Sequence, residues 1–310
     1  MTHSYPNPSP YRTRLALVAL VVFWAANFSL VKLALRDVSP LAFTTLRFLL
    51  ASGVLWVFLK VGGDRIQINR SSWPVLIGLG LVGTTAYQTL FIYGISWTLA
   101  GNASLMLATA PIFTALFSRL CRQERGGLSA WAGVGLSVLG IALVVIGGSK
   151  DVSFGAGTLT GDLAVLVAAA AWSAYTVGSV PLVHRYGAVP VTAATMWVGT
   201  LGLLIVSLPA LRGQDWAGVR PVAWLAVLYS GAFAIATAYF LWYYCVRRIG
   251  STRTAVYTNF TPVLALLIAW PALGEVPTPL QAIGAGGVIA GSILVRAGKI
   301  ERRTPGESAP

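Results

Sequence analysis

An arginine inside an apolar segment is the residue of this chain with the clearest capacity for chemistry. Arg47 lies in the run TTLRFLL, about seven residues into a stretch long enough to cross a membrane, which is roughly 10 Å from its end. A cation costs about 2.5–3.5 kcal/mol at mid-bilayer on insertion scales, and less near the interface. We therefore expect Arg47 to face a cavity. Two roles are open: binding a substrate carboxylate, or tying helices together through backbone carbonyls.

Amide, hydroxyl and aromatic side chains recur at helical spacing in the apolar segments. Amides such as Asn27 and Gln88 are costly against lipid and should point inward. Aromatic walls with a few polar groups suit a small amphipathic metabolite, although interfacial aromatics and interhelical hydrogen bonds are an alternative explanation. Besides Arg47, the predicted substrate-binding residues are Trp24, Asn27, Tyr87, Gln88, Asn102, Thr109, Trp172, Tyr175, Tyr239, Tyr243, Tyr257 and Asn259.

Two prolines interrupt apolar segments near their middles. Pro111 and Pro262 each remove a backbone hydrogen bond, which frees the carbonyl four residues earlier, at Leu107 and Thr258. Membrane helices tolerate such breaks where protein groups or water satisfy the backbone. We predict that both prolines are hinges, the alternative being the ordinary proline of a membrane helix.

Groups for enzyme chemistry are scarce. The chain has two histidines, His3 and His184, and no HExxH, GxSxG or metal-spaced cysteine pair. The carboxylates Glu124, Asp162 and Glu275 are expected near the membrane surfaces. The sequence therefore predicts a protein that is not an enzyme and needs neither a cofactor nor a metal ion.

The elements that hold these residues must be membrane-spanning helices. The chain is 56% hydrophobic and 10% charged, with a mean hydropathy of +0.74. Runs of about 20 apolar residues span about 30 Å of hydrocarbon as helices. The ten predicted spans are 15–35, 40–60, 73–96, 100–119, 128–147, 158–180, 189–210, 221–245, 252–273 and 278–296.

The distribution of charge predicts the orientation of these spans. The formal net charge is +13, and sixteen of the 22 Lys and Arg residues fall in segments that share one side with the termini. Four fall on the other side, and two lie inside spans. Cytoplasmic loops carry such an excess, so both termini should be cytoplasmic, and a nucleic-acid partner is not expected.

The chain also contains the same pattern twice. A shift of 151 residues aligns Pro111 with Pro262 and Glu124 with Glu275, without a gap from 73–147 onto 224–298. A unit with an odd number of spans inverts when it is repeated. The predicted fold is thus an all-α membrane protein of ten transmembrane helices in two inverted five-helix repeats.

The predicted organisation follows from that repeat. Residues 1–14 form a disordered cytoplasmic tail, 15–149 the first repeat, 158–296 the second repeat, and 299–310 a cytoplasmic tail. The fifth and tenth spans carry glycines at close-packing spacing, AGVGLSVLG and IGAGGVIAG. Such stretches let helices approach closely, so these two spans are predicted to be scaffold or a homodimer contact.

These segments resemble the EamA family of the drug/metabolite transporter superfamily. The opening stretch FWAANFSLVKLALRDVSPLAFTTLRFLLA is similar to the start of that family, and NASLMLATAPIFTALFSRLCRQE and TAVYTNFTPVLALLIAWPALGE resemble its paired fourth-helix motif. The stretches WAGVGLSVLGIALV and QAIGAGGVIAGSILV resemble its glycine-rich fifth helix. The usual GE reads QE at Glu124, and the second copy has Trp197 where the first has Arg47.

The resemblance implies alternating access, with a cavity among helices 1–4 and 6–9. It implies export of amino acids or related small metabolites across a bacterial inner membrane, or uptake or exchange in some members. A non-transporting sensor or an intramembrane enzyme is the alternative from another class. The expected partners are a small-molecule substrate and the lipid bilayer.

Overall fold

The protein is helical almost throughout. The computed structural model describes residues 10–62, 67–121, 124–125, 128–148, 157–249, 257–258, 260–274, 276–297 and 301–302. The α-helices are α1 (Pro10–Ala34), α2 (Pro40–Gly62), α3 (Trp73–Gly80), α4 (Tyr87–Trp97), α5 (Ala100–Leu107), α6 (Ala110–Leu120), α7 (Leu128–Gly148), α8 (Gly157–Tyr186), α9 (Ala188–Arg212), α10 (Pro221–Tyr229), α11 (Ala238–Ile249), α12 (Phe260–Leu273) and α13 (Pro279–Ala297). Short elements complete the set: a 3₁₀ turn at Arg70–Ser72 and the two-residue strands β1 (Glu124–Arg125) and β2 (Glu301–Arg302).

Seven helical stretches in the described part of the chain are long and apolar enough to cross a membrane. They are Tyr11–Ala34, Pro40–Lys60, Arg70–Trp97, Ala100–Leu120, Leu159–Tyr186, Val189–Arg212 and Pro221–Trp242. The other three predicted spans overlap α7, α12 and α13 in the described residues. The chain is therefore a multi-pass membrane protein, because so many apolar helices cannot all be buried in a soluble core of this size.

Parts of both predicted tails form regular structure. Helix α1 begins at Pro10, inside the segment expected to be disordered, because proline is well tolerated at the start of a helix, where its missing N–H would have no partner. In the second tail, Glu301–Arg302 pairs antiparallel with Glu124–Arg125, so that Glu124 faces Arg302 and Arg125 faces Glu301. Residues 1–9 and 303–310 lie outside the described residues.

Two π-helical segments occupy matching places in the two halves. The first is Leu81–Ala86, between α3 and α4, and the second is Ser230–Thr237, between α10 and α11. A shift of 151 residues carries 81–86 onto 232–237, inside the second segment. π-helices are rare and occur frequently at functional sites. The sequence analysis did not predict either one.

The helix break near Pro111 has an identifiable cause. Helix α5 ends at Leu107 and α6 begins at Ala110, so Pro111 lies in the first turn of α6. The intervening backbone makes tight bonds, with Thr109 N donating to Met106 O at 3.1 Å. Pro262 similarly lies in the first turn of α12. Both prolines therefore stand where a helical segment begins, and the sequence-predicted hinge role stays a prediction.

The two glycine-rich helices pack against each other within the chain. A Cβ on Gly140 of α7 would lie 2.6 Å from Gly284 O of α13, and one on Gly291 would lie 2.5 Å from Gly133 O. Only glycine allows backbones this close. These glycine faces are thus occupied inside one chain, and a homodimer would have to use the outward faces of α7 and α13.

Side-chain contacts join the two halves at both ends of α2. At the start of α2, Asp37 forms an ion pair with Arg220, with 2.9 Å between Oδ1 and Nη2. Beyond its other end, the Oγ of Ser72 lies 2.8 Å from the Tyr186 hydroxyl. Asp37 precedes α2 and Tyr186 precedes α9, the helix that aligns with α2 through Pro40 and Pro190. Each contact therefore joins a residue of the first half to a residue of the second half.

Candidate functional site

A cavity lies between the two halves beside the first π-helical segment. The empty space between its walls is about 200 Å³, part of which is open to solvent. The side chains around it are aromatic or carry hydroxyls, with one thioether. The lining residues are Gly83, Thr84, Trp172, Tyr175, Thr192, Thr195, Met196 and Tyr239.

Helical spacing explains how α8 and α9 form this wall. Trp172 and Tyr175 are three residues apart on α8, and their ring centroids are 5.5 Å apart. Thr192, Thr195 and Met196 share one face of α9 at the same spacing. Tyr239 of α11 meets Trp172 edge-on at 5.7 Å. The cavity is thus enclosed by residues from both halves of the chain.

Glycine lets the first π-helical segment reach this wall. A Cβ on Gly83 would overlap the ring of Tyr175, so no larger residue fits there without displacing that ring. Helix α3, which precedes this segment, is equally close to α9, because a Cβ on its last residue, Gly80, would lie 2.7 Å from Thr195 O. The glycines therefore set the shape of the cavity rather than its chemistry.

One polar atom at the cavity is unsatisfied. The Oγ1 of Thr192 is buried and has no hydrogen-bond partner among the described residues, whereas the hydroxyls of Tyr175 and Thr195 lie 3.1 Å apart. A buried polar group without a partner costs about 1–3 kcal/mol. The Thr192 hydroxyl is thus free to bond a guest in the cavity.

Arg47 is enclosed next to this cavity. Its side chain is 1% exposed, Nη2 donates to Gln88 Oε1 at 2.6 Å, and Nε has no partner in the described residues. Its Cζ lies 5.3–5.8 Å from the ring centroids of Phe43, Phe48 and Phe91. In the part of the chain that the structure describes, no carboxylate pairs with this guanidinium.

Tyrosines connect Arg47 to the cavity wall. Tyr87 and Tyr239 both lie near Arg47, and both contact Trp172, with ring centroids 5.3 Å and 5.7 Å away. Arg47 itself does not line the cavity in this conformation. These two tyrosines therefore join the surroundings of Arg47 to the cavity wall at Trp172.

Trp24 and Asn27 hold the second π-helical segment in place. Trp24 Nε1 donates to Ala234 O at 3.0 Å, and Asn27 Oδ1 accepts from Ser230 Oγ at 2.5 Å. The first bond reaches a backbone carbonyl of the π-helical segment, and the second reaches the side chain of its first residue. These two predicted binding residues connect α1 to the second half, and neither lines the cavity.

The remaining predicted residues fall elsewhere. Asn102 bonds Asp162 and Gln281 away from the cavity, and Thr109 Oγ1 donates to Met106 O within its own turn. Tyr257 is 43% exposed. Asn259 lies outside the described residues, and so do the side chains of Tyr243, Pro111 and Pro262.

Sequence reasoning missed the α9 side of the cavity. Thr192, Thr195 and Met196 line it but were not among the predicted binding residues. The signal was present, since two hydroxyls and a thioether recur at i, i+3 and i+4 in VTAATMW. Threonine and methionine are also ordinary in membrane helices, which hides such a stripe.

Proteins similar in sequence are named as transporters. The chain is 31% identical over 265 residues to the uncharacterized transporter YdfC of Bacillus subtilis, covering 86% of this chain and 84% of that protein. It is 32% identical over 288 residues to an uncharacterized transporter of Archaeoglobus fulgidus, covering 92% and 98%. It is 30% identical over 298 residues to a probable terminal-alkyne amino-acid exporter of Streptantibioticus cattleyicolor, covering 94% and 97%. These names indicate a transporter rather than an enzyme.

A solved structure shares the fold. It aligns with a TM-score of 0.68 and 21% sequence identity, covering 92% of this chain and 96% of that chain. The chain also matches the EamA-like transporter family over residues 13–146 and 159–297. The match extends over both halves, and it confirms the resemblance read from the fourth- and fifth-helix motifs. This chain belongs to the EamA-like transporter family.

Proposed function

We propose that this protein exports amino acids or related small carboxylate-bearing metabolites across a bacterial inner membrane by alternating access. An uptake permease or an exchanger is the alternative direction within the same fold. The observation that carries the substrate class is Arg47, a buried guanidinium with an unpartnered Nε. A buried charge left unpaired costs several kcal/mol, and a substrate carboxylate would supply the missing partner.

The cavity supports a small amphipathic substrate. Its walls are Trp172, Tyr175 and Tyr239, with the free hydroxyl of Thr192 at one side. Apolar walls hold the body of a ligand, and a few placed polar groups orient it. The walls leave little free space in this conformation, so a substrate would enter only when they move apart. The relative named as an amino-acid exporter favours the same class.

The proposed architecture is ten spans in two inverted repeats, 15–149 and 158–296, with both termini in the cytoplasm. The paired π-helical segments and the contacts Asp37–Arg220 and Ser72–Tyr186 support it, because such features recur at matched positions in inverted repeats. The bias of Lys and Arg supports the orientation. In alternating access, the Asp37–Arg220 contact would be broken in one state and the Ser72–Tyr186 contact in the other.

Counterflow in proteoliposomes tests this function. Vesicles containing the purified protein are preloaded with one unlabelled amino acid at a time, and uptake of the same labelled amino acid is measured. We expect transient accumulation for an aromatic or branched amino acid, and none for its decarboxylated amine. Equal counterflow of acid and amine would contradict the role of Arg47, and no counterflow across all amino acids would contradict the substrate class.

A further inference from the structure

A second buried polar site lies on α8, away from the cavity. Asp162 precedes Trp172 by ten residues, which is about 15 Å along the helix. It is 1% exposed, and it lies three residues after Leu159, where the candidate span begins. Thr98 Oγ1 lies 2.5 Å from Oδ1, and Asn102 Nδ2 lies 3.5 Å from Oδ2. No described residue forms an ion pair with this carboxylate.

The hydrogen bonds around Asp162 have a defined direction. The backbone N–H of Thr278 can only donate, and it bonds Gln281 Oε1 at 3.0 Å. Gln281 Nε2 must then be the donor to Asn102 Oδ1, at 2.7 Å. Asn102 Nδ2 is therefore the group turned towards Asp162. Oδ2 is an acceptor, and a proton on the carboxyl can only sit on Oδ1, facing the Thr98 hydroxyl.

The hydroxyl of Thr98 can accommodate either state of Asp162. It donates to an ionised Oδ1 and accepts from a protonated one, because a hydroxyl is both donor and acceptor. An ionised carboxylate buried without a cation is strongly disfavoured. In this closed arrangement the neutral acid is the stable form. Contact with water would favour release of the proton.

We propose that Asp162 binds and releases a proton once in each transport cycle and so couples substrate movement to the proton gradient. This inference rests on the proposed transport function. Only the Oδ1–H bond forms and breaks, and the proton exchanges with water on the side to which the site is open.

The surrounding helices supply no competing ionisable partner in the described residues. The helices packed against α8 include α3, α4, α5, α6 and α9. Among the described residues, no hydrogen bond or ion pair joins Asp162 to an ionisable side chain. Besides Asp162, the ionisable groups on these helices, on α8 itself and on α1 and α13 are Tyr11, Arg12, Arg14, Lys32, Tyr87, Tyr93, Arg119, Tyr175, His184, Arg185, Tyr186, Arg212 and Arg296. Lys150, Asp151 and Glu275 lie outside the described residues.

A proton fits this site better than a metal ion. Ca²⁺ or Mg²⁺ needs about six oxygen ligands. Here Asn102 turns its Nδ2 hydrogens towards Oδ2, and these would repel a cation. No group of three or more His, Cys, Asp or Glu side chains suited to a metal ion occurs in the described part of the chain.

Helix packing links this site to the cavity. A Cβ on Gly161 would lie 2.7 Å from Trp97 C and 2.8 Å from Thr98 N, so α8 packs on the backbone at the end of α4. Water can reach Asp162 only if these helices separate. Helix α8 also carries Trp172 and Tyr175 of the cavity wall. A movement that opens the wall therefore also opens the proton site.

Asp162→Asn removes the titrating proton while keeping size and polarity. Proteoliposomes are assayed for counterflow at equal pH and for accumulation driven by a pH gradient, with an internal pH dye reporting proton flux. One pH unit sustains at most about a tenfold substrate ratio for one proton per substrate. We expect wild type to approach that ratio, and Asp162→Asn to lose it while counterflow persists. Asp162→Glu should retain coupling, and the exposed turn residue Asp215→Asn is the control.

Each outcome bears on one of the two ideas. Gradient-driven accumulation by Asp162→Asn overturns the coupling role, and so does accumulation in wild type that follows a sodium gradient instead. If Asp162→Asn is not recovered folded, the internal pH dye is used with the wild-type protein instead. Substrate flux without proton flux in wild type overturns the inference. Absence of counterflow in wild type contradicts the transport function itself.

Discussion

Arg47 and Gln88, 41 residues apart in the chain, are joined by a hydrogen bond of 2.6 Å from Nη2 to Oε1. The amide oxygen orients the guanidinium without neutralising it, because Gln88 carries no charge. The three phenylalanine rings around Cζ contribute cation–π attraction of about 0.5–2 kcal/mol each. The cation is thus held in place and still lacks an anion among the described residues.

Arg47→Lys keeps the charge and loses the planar two-pronged donor that matches a carboxylate. We expect apparent affinity to fall about 10- to 100-fold, since a hydrogen bond to a charged group contributes about 1.5–3 kcal/mol. The Michaelis constant, measured per folded molecule, checks this. Unchanged affinity in both Arg47→Lys and Arg47→Ala, with less folded protein, would make the residue structural.

Thr192→Val removes the unpartnered hydroxyl at the cavity with little change of volume. Because no described residue bonds that hydroxyl, we expect the empty protein to unfold at the same or a higher temperature. Substrate affinity should fall about threefold to tenfold, the effect of one lost hydrogen bond of about 1 kcal/mol. Thr44→Val, which removes another buried unpartnered hydroxyl away from the cavity, should leave affinity unchanged.

Gly83→Ala places a methyl group on the ring of Tyr175. Overpacking of this kind typically costs about 1–3 kcal/mol, so we expect a lower unfolding temperature and reduced transport. Gly78→Ala is the matched control on the preceding helix, because nothing lies within 4 Å of a Cβ there. Equal unfolding temperatures for the two variants would contradict the close packing of Gly83 against Tyr175.

Charge reversal tests the contact at the start of α2. Asp37→Arg places two like charges together and should hold that end of the bundle open, which would change the transport rate. The double variant with Arg220→Asp restores attraction in the opposite sense and should recover transport. Failure of the double variant to recover any activity would show that the contact is not a reversible lock.

The same pair predicts the response to acid. Hydrogen bonds from Arg220 hold the pKa of Asp37 below its usual value. The stabilisation is therefore present above the unfolded pKa of about 3.9 and is lost as pH falls through the lower folded value. Wild type and Asp37→Asn should differ in unfolding temperature at pH 7 and converge towards acid. A difference in unfolding temperature that grows as the pH falls would contradict the stabilising role of this ion pair.

Orientation can be measured with single cysteines in a background where Cys121 and Cys245 are replaced by serine. We expect an impermeant thiol reagent to label Arg36→Cys and Arg212→Cys from outside intact cells, and not Arg122→Cys. The reason is the excess of Lys and Arg on the cytoplasmic side. The reversed labelling pattern would contradict both the orientation and the charge argument.

Helical character was readable from the chain because it is a local property. A helix satisfies its own backbone, so about 20 apolar residues are sufficient to predict a span. The same holds for the break before Pro111, which follows from one missing N–H. Placing Arg47 in a protected site also needed only its depth in α2.

Contacts between helices were not readable, because they depend on how each helix is rotated about its axis. Asn102 and Gln88 are both amides on predicted inward stripes, yet Asn102 turns to Asp162 and Gln88 to Arg47. The π-helical segment Leu81–Ala86 adds to the difficulty, since its wider turn shifts the face on which later residues lie. Burial of Asp162 depends on Gly161 packing on α4, a long-range contact that no local pattern encodes.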